Sequence, residues 1–191
     1  MTLLATGLVL FLGTHSISIA NAAWRDRMVA RIGESPWKGL YSLPAAVGLV
    51  LIVVGYGAAR AEPVLVYAPP VWLRHVALVA LLPVMPLFLS TYFPGRLRGF
   101  VRNPTLVATE LWAGAHLLAN GTRADVALFG GFLAWAVADH LSLARRAPRA
   151  IPGAPPRPAN DAIAVGGGLA LYAAIVLWLH RAVIGVPVLM G

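Results

Sequence analysis

Residues 39–59 read GLYSLPAAVGLVLIVVGYGAA, and this stretch decides the fold class because it contains no charged side chain. A helix needs about 20 apolar residues to cross the hydrocarbon core of a bilayer. Similar apolar segments recur at about 2–22, 71–92, 104–120, 124–143 and 162–182. The pattern predicts an all-α integral membrane protein, a bundle of about six transmembrane helices that forms one domain over residues 1–191.

The fourth segment, 104–120, is the shortest, close to the lower limit of about 17 residues for a spanning helix. A turn of only Asn120-Gly121-Thr122 separates it from the fifth segment. Because short loops join antiparallel neighbours, we expect a short fourth helix paired with the fifth. Pro83 and Pro86 predict a bend in the third segment.

Composition places the chain in a membrane and excludes several classes of site. Of its 191 residues 59% are hydrophobic and 12% are charged, whereas soluble domains carry about 25% charged residues. Cysteine is absent, which excludes disulfides, thiolate-ligated haem and cysteine-ligated iron–sulfur clusters. The net charge of +8 arises in the gaps between apolar segments, where it favours membrane lipids as partners and not nucleic acid.

The distribution of basic residues predicts the orientation. The first, third and fifth gaps hold eleven lysines and arginines, and the remaining positions hold four. By the positive-inside rule, the richer gaps are cytoplasmic, so both termini face away from the cytoplasm. The fifth gap, from Ala147 to Pro158, is expected to be an extended loop. No basic residue precedes the first apolar run, so we expect a retained helix and not a cleaved signal peptide.

Histidines are the candidate functional residues. All five lie in or at the rim of an apolar segment, where an ionisable group requires a partner or a function. Imidazole is a common axial ligand of haem iron, so two histidines could hold haem b. The alternative is that they only form hydrogen bonds between helices. The histidines are His15, His75, His116, His140 and His180.

The depth of each histidine limits which pair could bind one iron. At about 1.5 Å per helical residue, His15 lies roughly 10 Å from the cytoplasmic end of its helix and His116 roughly 18 Å. The difference of about 8 Å exceeds the separation of two axial ligands, about 4 Å, unless a helix tilts. His140 lies roughly 5 Å from that end, so it matches His15 equally well. His75 is expected at the membrane interface.

Several other side chains are candidates for the pocket. Trp112 and Asn120 lie four residues before and after His116, on the same helix face. Haem propionates are anionic, and arginines bind carboxylates, although most of these arginines could simply set the topology. The arginine candidates are Arg25, Arg27, Arg96, Arg98 and Arg102.

Two acidic residues could handle protons. Glu110 lies in the fourth segment, where it would be protonated or would pair with Arg98 or Arg102. Asp139 precedes His140 and could orient it, but adjacent helical residues do not face each other. An ion pair between Asp139 and one of the nearby arginines is the alternative.

Motifs throughout the chain resemble the NnrU family. They are Gly13-Thr14-His15-Ser16 with Arg25 and Arg27, Arg102-Asn103-Pro104 with Trp112, the stretch from His116 to Gly121, and Leu128-Phe129-Gly130-Gly131. The resemblance implies a bacterial inner-membrane protein associated with nitric oxide and nitrite metabolism in denitrifiers. It also implies a redox partner or a partner protein from that pathway.

Zeta-carotene isomerase is similar to this family, and it is a membrane haemoprotein that isomerises a cis double bond when its haem iron is reduced. Its axial histidines fall on His15 and His116, so this resemblance favours His116 over His140. The implied alternative is a haem-dependent isomerase of a polyene, in a pocket that includes Phe88, Phe129 and Phe132.

The resemblance has one departure. Family members usually carry Arg-His-Pro where this chain has Arg102-Asn103-Pro104, so any role of that histidine is lost here. Arg-His-Pro before a tryptophan-containing helix is also similar to isoprenylcysteine carboxyl methyltransferases. A methyltransferase-like protein and a helical scaffold with no cofactor are therefore the remaining alternatives.

Overall fold

The structure, a computed structural model, describes residues 1–146, 149 and 151–189. Within these residues the protein is helical, with a single isolated bridge between Leu65 and Thr122 in place of any strand. The helices are α1 Thr2–His15, α2 Ile17–Ile32, α3 Glu34–Ala61, α4 Leu73–Leu81, α5 Val84–Tyr92, α6 Arg96–Phe100, α7 Pro104–Ala119, α8 Arg123–Leu143 and α9 Asn160–Ile184.

The chain forms two compact units. Unit 1 contains Met1–Pro70 and His116–Pro148, and therefore α1, α2, α3, α8 and the last turn of α7. Unit 2 contains Val71–Ala115 and Arg149–Gly191, and therefore α4, α5, α6, α9 and most of α7. All the candidate ligands except His75 and His180 belong to unit 1.

Four helices in the described residues have the length and composition of membrane spans, namely α3, the pair α4–α5, α8 and α9. The pair α1–α2 passes the same test only as a broken span, bent by 47°. Helix α7 has 16 residues, about 24 Å, which is shorter than the hydrocarbon core of about 30 Å. The expected multi-spanning helical membrane protein is confirmed, but the expected six spans become four or five.

The outward-facing side chains of these helices are apolar. Val53 on α3 is 65% exposed and Leu141 on α8 is 67% exposed. Exposed apolar side chains of this kind are suited to lipid contact and not to water. The expectation that lipids surround the helices is therefore supported by the surfaces themselves.

Glycines on α1 and α3 bring the backbones of these two helices into contact. A Cβ atom on Gly55 would lie 2.3 Å from the nitrogen of Leu4, and one on Gly48 would lie 2.7 Å from the nitrogen of Phe11. A Cβ atom on Gly7 would lie 2.6 Å from the nitrogen of Ile52. Later residues of α1 contact earlier residues of α3, so the two helices are antiparallel. We call this line of close contacts at Gly7, Gly48 and Gly55 the glycine seam.

We expected the first apolar segment to form one helix, but the helix breaks at His15. The side chains of Thr14, His15 and Ser16 each bond to the carbonyl four residues earlier, at 2.6–2.7 Å. Such bonds compete with the helical ladder and bend helices. Asn21 then has non-helical dihedral angles, φ −155° and ψ 84°. His15 is consequently the last residue of α1, placed at a bend.

Unit 2 packs α5 against α9. A Cβ atom on Gly168 would lie 2.4 Å from the nitrogen of Pro86, so α9 needs glycine here. The Asp161 carboxylate accepts hydrogen bonds from the backbone nitrogens of Arg96 and Leu97, at 2.9 and 3.0 Å, and so holds the start of α6. The helix is interrupted at Pro83, where we expected a bend, because α4 ends at Leu81 and α5 begins at Val84.

The fifth gap is described in part, since Ala147, Pro148 and Ala150 lie outside the described residues. From Ile151 to Pro158 it contains no helix. Ala154 and Arg157 donate backbone hydrogen bonds to the carbonyls of Tyr92 and Pro94, at 2.8 and 3.1 Å. The described part of the loop is thus irregular, as expected, but it is attached to the end of α5.

Candidate functional site

His15 lies among aromatic rings of three helices in unit 1. Its ring centroid is 4.3 Å from that of Phe11 on α1, 5.1 Å from that of Tyr41 on α3 and 5.9 Å from that of Trp135 on α8. The rings of Tyr41 and Trp135 meet it edge-on. These contacts fix the position of the imidazole at the junction of the three helices. We call this region, with Asp139 and Arg146, the His15 end of unit 1.

The hydrogen bond of His15 determines its tautomer. Its Nδ1 lies 2.7 Å from the carbonyl oxygen of Phe11. A carbonyl oxygen can only accept, so Nδ1 must carry the proton, and in the neutral ring Nε2 keeps a lone pair. Metal-ligating histidines show this arrangement, with the second nitrogen bonded to a fixed acceptor.

Two buried donors at the His15 end lack acceptors. Neither Nε1 of Trp135 nor Nε of Arg146 has a hydrogen-bond partner among the described residues. The terminal nitrogen of Arg146 pairs with the carboxylate of Asp139, and both side chains are largely buried, 12% and 18% exposed. This is the ion pair that the sequence offered as the alternative to proton handling by Asp139.

His116 lies against α8 at a different level. Its ring stacks on Phe129, with centroids 4.5 Å apart and ring planes 25° apart. The side-chain nitrogen of Asn120 donates to the carbonyl of His116 at 2.9 Å and closes the end of α7. The stacking brings the last turn of α7 to α8, while the expected pairing of the whole fourth helix with the fifth stays a prediction.

The positions of the histidines along α8 test whether one haem could use two of them. His15 contacts Trp135 and His116 contacts Phe129, and these α8 residues are six positions apart, or about 9 Å. His140 lies five positions beyond Trp135, or about 7.5 Å. Axial ligands of one iron lie only about 4 Å apart. The ligand roles of His15, His116 and His140 therefore stay predictions.

The remaining two histidines lie in unit 2. His75 is exposed in the first turn of α4, as expected for an interfacial residue. His180 lies near the end of α9, and its Nδ1 is 2.6 Å from the carbonyl oxygen of Val186. Neither shares a unit with the His15 end.

The expected propionate partners divide between the units. In unit 1, Arg25 lies 3.0 Å from Asp26 and 5.8 Å from the ring centroid of Trp37, and Arg27 is exposed. In unit 2, Arg98 donates to the carbonyl oxygen of Thr91 at 3.1 Å, and Arg96 and Arg102 are exposed. The arginine at the His15 end is instead Arg146.

The other two α7 candidates lie in unit 2. Trp112 packs against a buried cluster of Val84, Leu87 and Ala108. Glu110 is half-buried nearly two helical turns into α7. These residues form part of the packing of unit 2.

Sequence reasoning missed Phe11, Tyr41 and Trp135. Helical spacing could have found two of them, because Phe11 lies four residues before His15 and Trp135 lies four residues before Asp139. Tyr41 could not be found in this way, since only the antiparallel packing of α1 and α3 brings it to His15. Within the described residues, no group of three or more His, Asp or Glu side chains could hold a metal ion.

Comparison with known proteins matches the chain to a family model. The family model described as NnrU protein matches residues 3–188. No curated protein and no solved structure matches the chain. Because the matched region covers nearly all of its length, this chain belongs to the NnrU family.

Proposed function

We propose that this NnrU protein is a membrane haem b-binding protein in which His15 is an axial ligand. The observation that carries the proposal is the hydrogen bond from Nδ1 of His15 to the carbonyl oxygen of Phe11, at 2.7 Å, which leaves the Nε2 lone pair for a metal. The aromatic rings of Phe11, Tyr41 and Trp135 add the apolar surroundings that a macrocycle prefers. When bound, haem would supply a redox-active iron for nitric oxide or a π-bonded substrate.

The second axial ligand is His116 or His140, both of which lie in unit 1 with His15. The resemblance to zeta-carotene isomerase favours His116. His75, which is exposed in unit 2, is the least suited of the four histidines.

The cellular setting of the proposal follows from the family and the charges. Family membership supports a role in nitric oxide or nitrite metabolism of a denitrifying bacterium, with a redox partner or a protein of that pathway. The excess of arginine in alternate gaps supports a multi-pass inner-membrane protein with both termini outside the cytoplasm.

A second candidate is a haem-dependent isomerase of a polyene. A row of aromatic rings favours it, because Phe11 lies 5.7 Å from Phe132 and 4.3 Å from His15, and Phe129 stacks on His116. Such a row offers an apolar path beside both histidines. Phe88, which we also expected in this pocket, lies in unit 2 against Tyr92. Conversion of a cis-carotenoid by the reduced protein in vesicles would separate the isomerase from the nitric oxide protein.

The proposal is tested by the visible spectrum of the protein purified in mild detergent from cells supplied with haem. We expect a Soret band, with sharp α and β bands after reduction by dithionite. His15→Ala should lose most of the haem. His116→Ala or His140→Ala, whichever removes the second ligand, should convert the spectrum from low-spin to high-spin.

His75→Ala is the matched control, because this histidine is exposed and belongs to unit 2. It should retain the wild-type spectrum. A colourless wild-type protein, or full haem retention by His15→Ala, would overturn the proposal and favour the cofactor-free scaffold or the methyltransferase-like protein.

A further inference from the structure

Two unpartnered donors at the His15 end require an explanation of their own. A buried donor without an acceptor costs about 1–3 kcal/mol, and most buried polar groups in proteins are therefore paired. Nε1 of Trp135 and Nε of Arg146 are buried, and both lack a partner among the described residues. Two such atoms in one region indicate that an acceptor binds there.

The two donors are connected through Asp139 on α8. Trp135 and Asp139 are four residues apart, so their side chains are neighbours on the helix. The carboxylate of Asp139 holds the terminal nitrogen of Arg146. Arg146 is thereby brought to the face that carries Trp135, and the ring of His15 lies 5.9 Å from the ring of Trp135.

The charge of the region selects the kind of acceptor. Asp139 already neutralises Arg146. An added anion would bury an uncompensated negative charge beside Asp139, which is costly in a low dielectric. A neutral carbonyl oxygen carries no proton and has two lone pairs, so it can accept from both donors without this cost.

The surroundings select the rest of the ligand. Phe11 and Tyr41 place aromatic rings beside His15 on the other helices of unit 1. We propose that Nε1 of Trp135 and Nε of Arg146 bind the carbonyl oxygen of a neutral, membrane-soluble carbonyl compound. A quinone ring and an acyl ester are the two sources of such a carbonyl. This site does not use Nε2 of His15, but it shares Phe11, Tyr41 and Trp135 with the surroundings of the proposed haem, so its test is made on haem-free protein.

The test measures the binding of decylubiquinone to the full chain in quinone-free nanodiscs, quantified after extraction. We expect saturable binding. Trp135→Phe and Arg146→Lys should each weaken it about five- to tenfold, as expected for one lost hydrogen bond. Lysine keeps the charge beside Asp139 but has no Nε donor. The controls are the exposed neighbours Trp24→Phe and Arg145→Lys, which should bind as wild type does.

Competing ligands identify the source of the carbonyl. Displacement of the quinone by dioleoylglycerol would assign the site to an ester carbonyl, and failure of that displacement would assign it to the quinone ring. Oleate that binds more tightly than either, and less tightly in both variants, would overturn the neutral-ligand proposal. Equal quinone binding by wild type, Trp135→Phe and Arg146→Lys would also overturn it.

A spectroscopic readout keeps the test independent of the folding of the variants. The indole N–H resonance of Trp135, assigned by its loss in Trp135→Phe, should move downfield when wild-type protein is titrated with decylubiquinone. An unmoved resonance at saturating quinone would contradict the proposal. The titration uses protein purified without haem, so a moved resonance cannot arise from haem ligation.

Discussion

The two ends of unit 1 satisfy their buried polar groups differently. Near the start of α8, the Asp125 carboxylate is 5% exposed and accepts hydrogen bonds from the hydroxyl of Tyr56 at 2.6 Å and from Thr122 at 2.7 and 2.9 Å. Near its other end, Trp135 and Arg146 each keep a buried donor without a partner among the described residues. The first arrangement is a completed structural contact, whereas the second is the binding site that we propose for a carbonyl compound.

A loop contact completes the first of these ends. The hydroxyl of Tyr67 donates to the carbonyls of Leu117 and Asn120, the latter at 2.8 Å. The carbonyl of Gly121 accepts from the backbone nitrogen of Tyr67 at 3.1 Å, and a Cβ atom on Gly121 would lie 2.0 Å from the Tyr67 carbonyl oxygen. We call the contacts of Tyr56, Tyr67, Gly121, Thr122 and Asp125 the clasp.

The largest effect is expected from Asp125→Ala. It removes the acceptor of Tyr56 and Thr122, so we expect a loss of about 3 kcal/mol or more in the free energy of unfolding. Thermal unfolding in detergent measures it. Asp26→Ala is the control, because Asp26 forms an exposed pair with Arg25 and should cost less than about 1 kcal/mol. Equal changes in the two variants would show that the clasp is not a structural contact.

Overpacking of the glycine seam should give the next largest effect. Gly48→Ala and Gly55→Ala each force a methyl group against the backbone of α1, so each should lower the free energy of unfolding by about 1–3 kcal/mol. Gly57→Ala, which has open space around it, should not. Gly48 contacts Phe11, and Gly55 contacts Leu4. Only Gly48→Ala should therefore shift the indole resonance of Trp135 as well, and a shift in both variants would show that the two ends are coupled.

Removal of the Tyr56 hydroxyl and removal of the Trp135 indole N–H should have different effects on stability. Tyr56→Phe leaves Asp125 with one donor fewer and should cost about 1 kcal/mol. Trp135→Phe removes a donor that has no partner among the described residues, so the unliganded protein should lose less than about 0.5 kcal/mol or gain stability. Thermal unfolding of both variants without added ligand distinguishes these outcomes. A larger loss in Trp135→Phe than in Tyr56→Phe would contradict our comparison.

The smallest effect concerns pH. Burial, and then the negative charge of Asp125, raise the pKa of Tyr67 above its ordinary value of 10.0. The folded protein thus prefers the neutral hydroxyl, and this contribution is complete below pH 10 and is lost as the pH rises through the folded-state pKa. The Tm of wild type should fall slightly more above pH 10 than that of Tyr67→Phe. Parallel curves of Tm against pH for the two proteins would show that the Tyr67 hydroxyl does not stabilise the fold.

Much of the fold could be predicted from the sequence. Hydropathy located helices α3, α8 and α9 to within a few residues, and Pro83 located the break between α4 and α5. The bend at His15 was missed because it arises from three consecutive side chains that bond to the backbone, while the hydropathy of the segment continues unchanged. Hydropathy indicates which segments lie in lipid, but it does not indicate which side chains hydrogen-bond to the backbone carbonyls of their own helix.

The site was predictable only in part. Intramembrane histidines identified His15, and the family resemblance gave it a role, but its aromatic neighbours depend on how three helices pack. The depth estimate of about 8 Å between His15 and His116 stays a prediction. Arg146 lies beyond the end of α8, and its ion pair with Asp139 brings it to the His15 end. The sequence alone therefore could not identify it as the arginine of this region.

The glycine seam also bears on how the protein is made. Helix α1 has 14 residues, about 21 Å, which is too short to cross a bilayer core of about 30 Å unaided. Its partner surface, with Gly48 and Gly55, leaves the ribosome later. A nascent chain that ends before Gly48 therefore lacks the contact that holds α1, so we expect α1 and α3 to enter the membrane together.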